Sequence, residues 1–250
     1  MQYFDEAIIR KKSDQPTGKM FDMWHQECLL HIKNDMDVIM ADRRQNPQLR
    51  DEPGEINSAS PFEIGNKLYL VLWFDSVDPI KPLLVSHELG HYVLALRGNK
   101  FLVDPGRTYG EIVINLNSLV QHPPLFALQR SIGHEPQEMI DLKAQNDYDY
   151  LNQNKERKTQ FWIPDALNIA DDLINCSEKY RLRLNNTLKK RFPNTNHLIR
   201  SIMDSLNIDD LFFPDKNLKS LHKLAKVLKL ERWTEDEQIS RIVAHFNKQK

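Results

Sequence analysis

The stretch Val85-Ser86-His87-Glu88-Leu89-Gly90-His91-Tyr92-Val93-Leu94 constrains the fold more than any other part of the chain. Its apolar residues recur at helical spacing, and residues four apart on a helix stand one above the other on a single face. His87 and His91 are such a pair. The segment must bury its leucines and valines while presenting two imidazoles on the remaining face. Pro82 suits a first helical turn, and Arg97-Gly98-Asn99 supplies a cation in the last turn with glycine just past the end. The spacing therefore predicts a helix over 82–97.

The flanking sequence predicts how that helix is presented. Leu68-Tyr69-Leu70-Val71-Leu72-Trp73-Phe74 is an apolar run of strand length, and Gly65-Asn66 before it reads as a two-residue hairpin turn. Residues 75–82, with two prolines, form a loop into the helix. Upstream, the spacing of Met20, Met23, Trp24, Leu29, Leu30, Ile32, Met36, Ile39 and Met40 predicts a helix over 18–44, and the polar residues 45–60 a surface loop. Downstream, 110–121 fits helix or strand, Pro123-Pro124 interrupts it, and a helix follows over 125–132. Residues 146–159 read as a solvated connector, and Pro164 opens a long helix to about Asn185. In 217–230, Leu218, Leu221, Leu224, Ala225 and Leu228 form an apolar stripe opposite Lys216, Lys219, Lys223 and Lys226. The sum is an α+β protein, mostly helical, with one small sheet.

Composition excludes several classes. Hydrophobic residues make up 40% and charged residues 28% of 250, which suits a globular chain and not a disordered one. No apolar run approaches the roughly 18 residues of a membrane-spanning helix, and the N-terminus lacks the basic and apolar segments of a signal peptide. Two cysteines, Cys28 and Cys176, make neither a disulfide framework nor a thiolate zinc site. A cytoplasmic protein with two buried thiols, and no membrane partner, is expected. Charge is balanced overall at 34 basic and 35 acidic residues, yet residues 179–250 hold 16 of the former against 8 of the latter. That asymmetry suggests a different partner for the C-terminal part.

His-Glu-x-x-His carries the chemistry. Two imidazoles one turn apart can reach a single tetrahedral Zn²⁺. Glu88, one step round the helix, then stands beside the ion and can take a proton from a water the ion acidifies. A catalytic zinc needs a third protein ligand. Leu94 and Arg97 occupy the places where metzincins carry a glycine and a third histidine, so that branch is excluded.

Over residues 68–122 the chain resembles the gluzincin, or thermolysin-like, metallopeptidases, whose His-Glu-x-x-His helix is followed by a glutamate ligand on a second helix. The resemblance implies Glu111 as third ligand and a zincin-like domain. It also implies a supporting group four residues later, where this chain has Asn115. If 110–122 is helical, Glu111, Asn115, Ser118 and His122 share one polar face. Thr108-Tyr109-Gly110-Glu111 reads equally as a capping box, and Asp171 or Asp172 is a rival third ligand. The alternative for those two aspartates is a solvated face with Asn168, Asn175 and Lys179. Tyr109, His122, His134 and His197 are candidates to stabilise an oxyanion.

The chain is thus expected to be a zincin-like domain over 1–195 with a basic helical extension over 196–250. The expected activity is hydrolysis of a peptide bond in a protein or peptide substrate. His87, His91 and Glu111 would hold Zn²⁺ and Glu88 would act as general base. The alternative is a catalytically silent zinc protein that binds a partner or nucleic acid through its basic C-terminal part.

Overall fold

The structure is a computed structural model of the chain and describes residues 3–46, 58–103, 110–156, 163–230, 234–235 and 238–248. The chain forms two compact units, each assembled from separated stretches. The first comprises Met1–Arg97, Leu128–His134 and Glu237–Lys250, and the second Gly98–Ala127 and Glu135–Asp236. The architecture is mostly helical α+β, with a four-stranded mixed sheet in the first unit and a two-stranded one in the second.

The sheet of the first unit takes the order β1 (Tyr3–Asp5), β2 (Val38–Asp42), β4 (Lys67–Phe74), β3 (Ser58–Ile64). β3 and β4 form the antiparallel hairpin expected around Gly65-Asn66, with Gly65 at φ 62° as such a turn demands. β2 runs parallel to β4, pairing Ile39 with Val71, and corrects the long helix expected over 18–44. Helix α2 (Gln15–Glu27) passes through a π-helical turn, Cys28–Ile32, and Lys33 adopts left-handed φ 58°. Val38-Ile39-Met40-Ala41 is then entirely buried. An unbroken apolar run suits a strand covered on both faces, and its mixed spacing imitates a helix. Ser58–Ser60, expected in the surface loop, belong to β3; residues 47–57 of that loop lie outside the described residues.

Helices α1 (Glu6–Lys12), α2, α3 (Pro82–Leu96) and α10 (Gln238–Lys248) complete the first unit. α1 and α2 are held together by a charge cluster. His25 Nε2 lies 2.8 Å from Glu6 Oε2, and its Nδ1 2.5 Å from Asp35 Oδ1. The bond to Glu6, opposed by burial and reinforced by Asp35, raises His25 from 6.5 to about 9. Burial pushes Glu6 up, but bonds from His25 and Arg10 outweigh it and hold Glu6 below its ordinary value. A raised histidine stabilises the fold fully below pH 6.5 and loses that contribution as pH rises through about 9. Urea midpoints should therefore fall over that interval in the wild type and fall less in His25→Gln. Equal slopes in the two proteins would contradict the assignment.

The second unit contains α5 (Gln137–Gln153), α6 (Ile163–Asn175), α7 (Glu178–Arg191), α8 (Pro193–Ser205) and α9 (Pro214–Val227). Strand β5 (Leu102–Val103) pairs with β6 (Thr234–Glu235). The core gathers Leu116, Leu119, Leu167, Leu184, Ile202 and Leu221 with their neighbours. α5 corrects the connector expected from Asn146, since Ile140, Ala144 and Leu151 anchor a helix whose other faces are polar. The long helix expected from Pro164 is two, because Ser177 N leaves the helical pattern and donates to Asp141 Oδ1 at 2.8 Å. Residue 196, the expected boundary of the extension, falls inside α8.

Helix α4 (Gly110–Ile132) passes unbroken through Pro123-Pro124, where an interruption was expected. The two prolines lack the N–H groups that would bond the carbonyls of Leu119 and Val120. Asn217 Nδ2, fully buried on α9, donates to Val120 O at 3.4 Å, and its Oδ1 lies 3.4 Å from Gln121 Nε2. Side-chain amides thus replace part of the lost ladder. The leucines and the four lysines of the α9 stripe lie as expected, the lysines exposed and Leu221, Leu224, Ala225 and Leu228 buried.

Candidate metal centre

α3 begins at Pro82 and buries Val85, Ser86, Leu89, Gly90, Val93 and Leu94. His87, Glu88 and His91 lie half-buried on its other side. The two imidazoles converge, with ring centroids 4.9 Å apart and planes at 88°. The helix is fixed along its length. Thr17 Oγ1 donates to Pro82 O at 3.1 Å, Tyr92 Oη to Ala59 O at 3.2 Å, and Arg97 Nε to Glu27 Oε1 at 2.7 Å. Burial alone pushes the Glu88 carboxyl from 4.5 up to about 8, and a divalent cation on the neighbouring imidazoles would draw it down again.

The end of α4 is anchored on the beginning of α3, where Gln129 Nε2 donates to Leu83 O at 3.1 Å. His122 precedes Gln129 by two turns on the same helix and is half-buried.

The other sequence candidates lie elsewhere. Glu111 is exposed in the first turn of α4. Its capping-box partners Thr108 and Tyr109 lie outside the described residues, and with them the reading of Tyr109 as an oxyanion donor. Asn115 Nδ2 donates to Pro164 O at 3.4 Å. His134 is 5% exposed and sits 3.2 Å from Thr17 Oγ1, and burial lowers its pKa despite Asp14. His197 is exposed on α8.

Asp171 and Asp172 are buried at 4% and 1% exposure, so the solvated-face alternative does not hold. Asp171 Oδ2 accepts from His122 Nδ1 at 2.7 Å, and Oδ1 accepts from Asn175 Nδ2 at 2.8 Å. Lys143 forms an ion pair with Asp172 and reaches within 3.8 Å of Asp171 and of Asp147. Burial pushes Asp171 up, yet His122, Lys143 and Asn175 outweigh it and hold the carboxylate below its usual range. Asp172 moves the other way: burial and Asp147 raise it against Lys143, to about 8. Lys143 is held above the ordinary lysine value, because the three carboxylates outweigh burial.

Sequence reasoning placed His122 on the polar face of α4 but did not foresee its contact with Asp171. The signal was the stripe it shares with Glu111, Asn115 and Ser118. The following Pro-Pro concealed it by suggesting a break. Comparison of the chain with family models, with curated proteins and with solved structures returns no match.

Proposed function

We propose that the chain is a zinc-dependent hydrolase that cleaves a peptide bond, with His87 and His91 as metal ligands and Glu88 as general base. The observation that carries this reading is the convergence of two half-buried imidazoles one turn apart on α3, their ring centroids 4.9 Å apart. Two histidines of one helix are a donor pair that suits zinc, which in a catalytic site takes a third protein ligand and keeps one position open. When bound, zinc supplies an acidified water and polarises the scissile carbonyl. Glu88 takes the proton of the attacking water and returns it to the leaving amine. The half-buried setting of the histidines strengthens these charge interactions relative to open water.

Zinc analysis of the purified full chain tests the reading. One equivalent is expected in the wild type, and none retained through dialysis in His87→Ala or His91→Ala. Zinc affinities of Glu111→Ala, Asp171→Ala and Asp172→Ala identify the third ligand as the residue whose loss costs more than about 100-fold, beyond the cost of an outer partner. A wild-type chain that takes up no zinc would end the proposal. Zinc without turnover on a peptide library would favour a binding protein, for which salt-dependent affinity for nucleic acid is the next measurement.

A further inference from the structure

We propose that the exposed face of α7 binds the phosphate backbone of a nucleic acid without reading its base sequence. The site lies wholly within the second unit and stands apart from the zinc reading. α7 carries six cations, Lys179, Arg181, Arg183, Lys189, Lys190 and Arg191, against a single acid, Glu178. Two of the six serve the fold. Arg181 donates to the end of α6, at Leu173 O over 2.9 Å and at Cys176 O over 3.0 Å. Arg191 does the same for the end of α5, at Asn152 O and Asn154 O. Both answer carbonyls that a helix leaves unpaired at its C-terminus.

The other four have no such duty. Lys179, Arg183, Lys189 and Lys190 are exposed, and none forms an ion pair with a carboxylate among the described residues. Lys179 acts on Asp141 only through space, that carboxylate being held by Ser177 N and Gln137 Nε2. Lys179, Arg183, Asn186 and Lys190 follow one another at helical spacing, so they form one exposed stripe about 16 Å long. A nucleic-acid strand sets a phosphate about every 3.4 Å along its axis, so the stripe spans about five of them.

Aromatic rings hold two of these cations in place. Arg183 Cζ lies 5.7 Å from the ring centroid of Tyr180 and 5.8 Å from that of Tyr148, and Lys179 Nζ lies 4.9 Å from Tyr180. Both rings pack against the core of the second unit. A side chain already held loses less freedom when it meets a phosphate, and a planar guanidinium matches the phosphate oxygens. The stripe contains no apolar side chain. That favours nucleic acid over a lipid surface, where buried apolar area anchors a helix, and over a protein partner, whose contact has an apolar centre. Leu182, 56% exposed, lies on the flank of the stripe.

Fluorescence anisotropy of the full chain with a labelled mixed-sequence oligonucleotide, single-stranded and duplex, tests the proposal, with phosphatidylserine vesicles as the lipid comparison. Binding to either oligonucleotide should weaken with salt, log affinity falling by about 3 to 4 per unit of log salt for four neutralised phosphates. Lys179→Gln with Arg183→Gln and Lys190→Gln should flatten that slope by about 2 to 3. Lys219→Gln with Lys223→Gln and Lys226→Gln, on α9, should leave it nearly intact. No binding to either oligonucleotide, capture by vesicles alone, or an equal loss from the two triple variants would overturn the proposal. If Arg183→Gln lowers the urea midpoint, the pair Lys179→Gln and Lys190→Gln leaves Arg183 between its two rings. That pair should still flatten the slope by about 1.5, and an unchanged slope there refutes the assignment as well.

Discussion

Replacing Glu88 by glutamine is expected to cut peptide hydrolysis by about 10²–10⁴-fold, the usual worth of a positioned general base, while zinc content stays at one per chain. Glutamine keeps the size and hydrogen-bonding shape of the side chain but cannot take up a proton. Glu88 lies one step round α3 from His87 and off the face that His87 shares with His91, so its loss should spare the metal. Paired measurements of zinc content and turnover check both halves. Turnover preserved in Glu88→Gln would remove the general base from the mechanism. Zinc lost together with turnover would make Glu88 a ligand.

Lys143→Met should cost about 3 kcal/mol at neutral pH. That is the lower end for breaking a buried ion pair, because the lysine side chain is 41% exposed and partly screened. The variant removes the cation that faces Asp171, Asp172 and Asp147. The cost must depend on pH with a definite sign. Without the ammonium, carboxylates in the folded state hold protons more tightly than in the unfolded chain, so the penalty grows as pH rises and shrinks toward pH 4. Urea unfolding of wild type and variant from pH 4 to 8 should give curves that diverge upward in pH. A constant gap would mean that the lysine contributes packing and not charge.

The helix that carries His87 and His91 was legible because its information is local: an i, i+4 pair, a proline at the start, a glycine after the end. The β3–β4 hairpin was legible for the same reason, through Gly65-Asn66. What stayed hidden depended on partners distant in sequence. β2 is a strand because β1 and β4 flank it, and its own residues read as a helix. α4 continues through two prolines because Asn217, far along the chain, serves a carbonyl they abandon. Asp171 and Asp172 looked like a wet surface until His122, Lys143 and Asn175 were seen to gather around them. His122 is the instructive case. Its helical face was evident, but only the folded chain brings the distant Asp171 against its ring.

The bond from Asn217 to Val120 reaches further than local repair. Asn217 sits two residues before Lys219, within the most basic part of the chain, yet its amide is wholly enclosed and serves the helix that bears His122. Clipping the protein ahead of α9 would leave the Val120 carbonyl without that donor, beside two prolines that supply none. The lysine-rich tail therefore cannot be treated as a detachable handle. Any role its outer surface plays is coupled, through one amide, to the integrity of the helix beneath.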